Sequence, residues 1–67
     1  MRDVKRLPPI YQKMCELHKK CPDLRIGQLY ANFERWLRRA YGLDIFFIED
    51  GRFIDLFKEF IDEYIIG

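Results

Sequence analysis

Cys15, His18 and Cys21, spaced by three and three, bring two soft sulfurs and an imidazole near one helix end, the raw material of a metal site or an activated thiol. Structural zinc wants four such ligands, and the sequence offers no fourth. A cysteine–histidine nucleophile would further need an orienting group and an oxyanion site. A disulfide is also excluded. On one helix the two cysteines would stand about 9 Å apart at about 1.5 Å per residue, beyond the roughly 7 Å that a disulfide spans between Cα atoms. Both read as small buried hydrophobes, with no metal and no cofactor.

Asp44, Glu49 and Asp50 form a second group around an apolar stretch. Clustered carboxylates can hold a hard cation or work as acid and base. Asp50, however, stands where a helix N-cap belongs, and Glu49 beside it suits the same positive helix end. The third group is Arg35, Arg38 and Arg39 with Trp36 among them. A basic ridge with an adjacent aromatic is how phosphate backbones and unpaired bases are held. Docked in a groove, such a helix would act as helix-turn-helix proteins do. The same ridge also suits a protein partner or the solvated side of an amphipathic helix.

Composition removes several function classes. The chain has no serine and no threonine, which excludes hydroxyl nucleophiles of those types, a P-loop, N-glycosylation and Ser/Thr phosphorylation. The single histidine excludes a two-histidine metal motif. No apolar run approaches the roughly 20 residues of a membrane span. Its charged start, Met1-Arg2-Asp3-Val4-Lys5-Arg6, lacks the apolar core of a secretory signal. A cytoplasmic protein with reduced thiols is therefore expected.

The net charge of +1 conceals a polarity. Residues 1–41 carry ten basic and four acidic side chains, a net of +6; residues 42–67 carry two basic and seven acidic, a net of −5. Such asymmetry points either to an anionic partner for one half or to attraction between the halves.

The elements that position these groups follow from spacing and punctuation. Leu7, Ile10, Met14, Leu17 and Cys21 recur every three or four residues, which predicts a helix over about 8–20. Pro8 and Pro9 fit its first turn, and Pro22 ends it. A second helix is predicted over 26–41, with Arg25 or Asp23 as N-cap and Gln28 able to reach back to the cap N–H. Ile26, Leu29, Tyr30, Phe33, Trp36, Leu37, Ala40 and Tyr41 share one face, and Gly42 is the stop. Residues 43–48 read as an extended apolar connector, with Ile45, Phe46 or Phe47 plugging the core. Asp50 then caps a third helix over about 51–65, whose aromatic face covers nearly half its circumference. Eleven aromatics in 67 residues are hard to bury in three short helices. Surface around Tyr11, Trp36 or Phe57 is expected to stay open, and open apolar patches mark partners.

The run Pro22-Asp23-Leu24-Arg25-Ile26-Gly27-Gln28-Leu29, with Asn32 after it and Phe46-Phe47-Ile48-Glu49-Asp50 further on, resembles a group of small uncharacterised proteins of bacteria and their phages. The resemblance spans about Ile10 to Phe60. It implies a compact all-helical fold in a bacterial or phage setting and carries no activity, cofactor or partner with it. The Arg35-Trp36-Leu37-Arg38-Arg39 segment and the aromatic-rich third helix depart from that group.

The sequence thus predicts one all-α, compact three-helix domain over residues 1–67. The expected function is a non-enzymatic protein-interaction module, self-associating as a homodimer or binding another protein through Arg35, Trp36, Arg38 and Arg39. The alternative is a small nucleic-acid-binding protein using the same basic face. Neither reading involves a membrane or a small-molecule substrate.

Overall fold

A computed structural model describes residues 3–66, all of whose regular structure is helical. The Asp3 carboxylate accepts the Lys5 N–H at 2.9 Å and starts a short 3-10 turn, Val4–Arg6. That turn runs directly into helix α1, Leu7–His18, with both prolines in its first turn. The helix ends two residues earlier than periodicity predicts. Lys19 onward is already turning, with the Lys20, Cys21 and Leu24 N–H groups bonding three residues back. Pro22 makes further helix unfavourable from the residue before it.

Helix α2, Ile26–Tyr41, has the predicted bounds. The Arg25 N–H donates to Gln28 Oε1 at 2.9 Å. Arginine has no acceptor atom, so the glutamine supplies the side-chain half of this cap. At the other end Gly42 adopts the left-handed conformation (φ 64°), and its N–H and that of Leu43 bond to Arg38 O and Leu37 O. This is a Schellman-type stop.

The connector differs from the predicted extended plug. Asp44 and Ile48 are extended, but Ile45–Phe47 tightens into a 3-10 turn because the Asp44 carboxylate captures the Phe46 N–H at 3.0 Å. The turn aims Phe46 and Phe47 outward. Leu43, Ile45 and Ile48 pack partly against the core instead.

Helix α3, Asp50–Phe60, starts one residue early. Asp50 is its first helical residue rather than its cap, and the cap position falls to Glu49. From Ile61 to Ile66 the chain continues as a wider π-type turn.

The core is aromatic and centred on Phe33. Its ring meets Phe53 (5.1 Å, 81°), Phe57 (5.0 Å, 79°) and Phe60 (5.5 Å, 48°), three successive inward positions of α3. Leu29 and Leu37 flank it on α2; Leu56 and Ile61 complete it below. Phe57, expected near the surface, is fully buried at 0% exposure. Alpha-1 contributes Met14 and Leu17, with Cys21 just beyond. Two ion pairs set the sense in which α1 lies along α3. Arg6 Nε meets Asp50 Oδ2 at 2.9 Å where both helices start, and Lys20 Nζ meets Asp62 Oδ1 at 3.4 Å where both finish.

Candidate interaction surfaces

On α2, positions 35 and 39 are one helical turn apart, so Arg35 and Arg39 share a face with side chains about 5–6 Å apart at Cβ. Together with Asn32, Trp36, Ala40 and Tyr64 they line a groove of about 330 Å³. Trp36 is half-buried at its base and fixed on three sides: stacked on Phe33 (6.2 Å), tilted against Phe60 (5.6 Å) and edge-on to Tyr41 (5.6 Å). Tyr64 lies in the π-type turn, stacks on Phe60 at 5.3 Å and forms the facing wall. The predicted ridge is thus divided. Arg35, Trp36 and Arg39 converge on one groove, whereas Arg38 is exposed outside it.

None of these three arginines makes an ion pair among the described residues. The attraction between the basic and acidic halves runs through α1 instead. Arg6 takes Asp50 and Lys20 takes Asp62, which Lys58 also holds at 2.7 Å. The hydrogen bond from Lys58 and the nearby lysine charges hold the Asp62 carboxyl below the usual range, and the same contact raises the Lys58 ammonium. Tyr41 donates its hydroxyl to Glu59 Oε1 at 2.5 Å, which pushes its pKa up.

The carboxylates around the connector have local roles. Asp44 caps the 3-10 turn, and Asp50 sits in the first turn of α3 against Arg6. The Cys–His group does not converge on a site. Cys15 is exposed, Cys21 is buried, and His18 Nε2 donates to Leu24 O at 2.8 Å, closing the turn after α1. That bond requires the proton on Nε2. Burial pushes the Cys21 thiol up, as for a packed hydrophobe. Among the described residues no three of His, Cys, Asp and Glu gather into a metal-holding cluster, and no helix is long and apolar enough to cross a membrane.

Sequence reasoning missed two features. Phe46 and Phe47 are 82% and 77% exposed, their rings edge-on at 5.0 Å, and they form an apolar tip on the connector. The signal for it was present: Asp44, two residues before Phe46, is a residue type whose carboxylate takes the backbone N–H two residues on and so favours a turn over an extended connector. The second feature is a groove of about 440 Å³ where the starts of all three helices meet. Ile10, Tyr11, Ile26, Tyr30 and Phe53 line it, with Arg6 and Asp50 at its edge. Tyr11, expected at the surface, is open here, and Ile26 is 63% exposed. No family model, no curated protein and no solved structure matches the chain.

Proposed function

We propose that the chain is a non-enzymatic protein-interaction module that grips an acidic segment of a partner protein in the Arg35–Trp36–Arg39–Tyr64 groove. The observation that supports this reading is the pair of guanidiniums, without carboxylate partners among the described residues, that line one groove with a half-buried indole. Each guanidinium can take a carboxylate through two parallel N–H···O bonds. Between them the Trp36 and Tyr64 rings offer an apolar slot for one large side chain, the anchor-and-rim pattern of protein interfaces. A segment with acidic residues about one turn apart and a leucine or phenylalanine between them satisfies both.

Nucleic acid uses the same side-chain types but needs a longer track. A bound strand presents a phosphate at every nucleotide, and affinity rises with the number neutralised. Here two arginines face the groove, Arg38 stands apart, and the second half of the chain has a net charge of −5.

Trp36, the only tryptophan, reports directly on the groove. Its emission is followed while a tryptophan-free peptide carrying Glu at two positions four apart and Leu between them is titrated in. The same titration is run with a dT20 oligonucleotide. Saturable peptide binding that weakens about tenfold or more in Arg35→Gln/Arg39→Gln, yet little in Arg38→Gln, supports the module. Preference for the oligonucleotide with a steep salt dependence assigns the groove to nucleic acid, and no response to either removes the proposal.

A further inference from the structure

From the Phe46–Phe47 tip and the apolar groove beside it, we infer that two copies of this chain associate reciprocally, each seating its tip in the other's groove. This goes beyond the proposed partner site, because no residue of the arginine groove takes part. Among the described residues Phe46 and Phe47 are the most exposed of the large apolar side chains. They are held there by a built turn rather than by a loose end, since Asp44 fixes the Phe46 N–H and Ile45 and Ile48 anchor the turn to the core. The accessible surface, 5160 Å², exceeds the roughly 4,500 Å² of a compact monomer of 8.2 kDa, leaving area to cover.

The occupant follows from fit. The groove's about 440 Å³ falls within the roughly 300–1,000 Å³ of sites that take ligands of several rings. Its floor is Ile10, Tyr30 and Phe53, and the Arg6–Asp50 ion pair closes its edge. Tip and groove floor are both apolar, and the Arg6–Asp50 pair at the edge is already neutralised, so seating one in the other buries no unpaired charge. The Asp44 carboxylate beside the tip opposes approach to an anionic lipid surface.

Placement makes the exchange reciprocal. Asp50, in the groove wall, is only three residues after Phe47. Tip and groove therefore lie within about 10 Å along the chain at about 3.3 Å per residue. A two-fold axis beside them lets both tips seat at once and closes the assembly at two copies. Each tip buries on the order of 300–400 Å² of aromatic surface and covers a similar area of groove. Doubled, this reaches about 1,200–1,600 Å², the size of a specific stable interface.

The test is mass by light scattering and sedimentation equilibrium, from micromolar up to about 1 mM, where binding is worth only about 4 kcal/mol. The wild-type chain is expected to move from 8.2 kDa toward twice that mass with concentration. Phe46→Ala/Phe47→Ala and, separately, Ile26→Glu should each weaken association more than about tenfold. All three positions are open to solvent, and unchanged circular dichroism and melting verify that the fold is intact. Mixing the two variants should restore association in part, because one keeps its groove and the other its tip. Arg35→Gln/Arg39→Gln should dimerise like wild type, which separates this inference from the peptide site. A wild-type chain monomeric throughout, association indifferent to either variant, or tip-dependent binding of the monomer to phosphatidylcholine vesicles would each overturn it.

Discussion

Phe33 on α2 stands edge-on to Phe57 on α3, ring centroids 5.0 Å apart and planes at 79°. Both rings are fully buried, and Phe33 also touches Phe53 and Phe60, so one side chain joins α2 to most of the inner face of α3.

Truncating this ring removes contacts on every side at once. Phe33→Ala is expected to cost about 3–5 kcal/mol, a large share of the roughly 5–15 kcal/mol that holds a domain together. Phe33→Leu, which keeps most of the volume, should cost markedly less. Urea unfolding followed by circular dichroism gives both values, and an alanine variant as stable as wild type contradicts the central role of Phe33.

Gly42 stops α2 at a φ of 64°, and a Cβ built there meets nothing within 4 Å. The penalty for a side chain is therefore purely a backbone one. Gly42→Ala should cost about 1–2 kcal/mol, and Gly42→Asn less, since asparagine tolerates this conformation. In a chain of this size about 1 kcal/mol lowers the melting midpoint by about 4–8 °C, well within the reach of a thermal scan.

The ion pairs give stability a predictable pH profile. Asp62 has a carboxyl pKa lowered by the Lys58 hydrogen bond and the nearby lysine charges. The unfolded chain thus binds its proton first on acidification. This contribution is present above the ordinary carboxylate range and is lost as pH falls through the depressed folded value. Tyr41 runs the other way. Its pKa is raised by the hydrogen bond to Glu59, so its contribution is full below about pH 10 and is lost as pH rises through the folded value. Melting midpoints across pH should show a shallower acid limb in Asp62→Asn and a shallower alkaline limb in Tyr41→Phe. Asp62→Asn should soften the alkaline limb as well, because Lys58 then loses the contact that raises it, whereas Tyr41→Phe should leave the acid limb unaltered.

The two cysteines should separate kinetically. Cys15 is exposed and Cys21 is buried, its thiol pushed up by burial. An aromatic disulfide reagent should consume one thiol rapidly and the second only at the rate of local opening, with Cys15→Ala abolishing the fast phase. Two equivalent fast thiols would contradict the packing of the turn after α1.

Helix α2 was legible to the residue because its signals are local: Gln28 reaching back to the Arg25 N–H and Gly42 adopting the left-handed stop. Periodicity also found the inward face of α3. It did not find where along that face the neighbouring helices sit, which is why Phe57, expected near the surface, proves fully buried. That depends on Phe33 crossing at the middle of α3, a relation between distant segments. The connector failed differently. Hydrophobicity offered Ile45, Phe46 or Phe47 as the plug; Ile45 does pack against the core, whereas the Asp44 carboxylate hydrogen bond tightens the backbone into a turn that leaves both phenylalanine rings out. Of the expected site, Arg35, Trp36 and Arg39 come together, but the facing wall, Tyr64, was invisible because it arises from the π-type turn after Ile61.

The unequal share of the core has a consequence for the order in which the molecule loosens. Alpha-2 and α3 are bound by interlocked rings, while α1 contributes Met14 and Leu17 and is pinned at its ends by two partly exposed charge pairs. Water competes well for such pairs and poorly for rings. Amide hydrogens of the first helix should therefore exchange earliest, leaving a two-helix remnant that outlasts it.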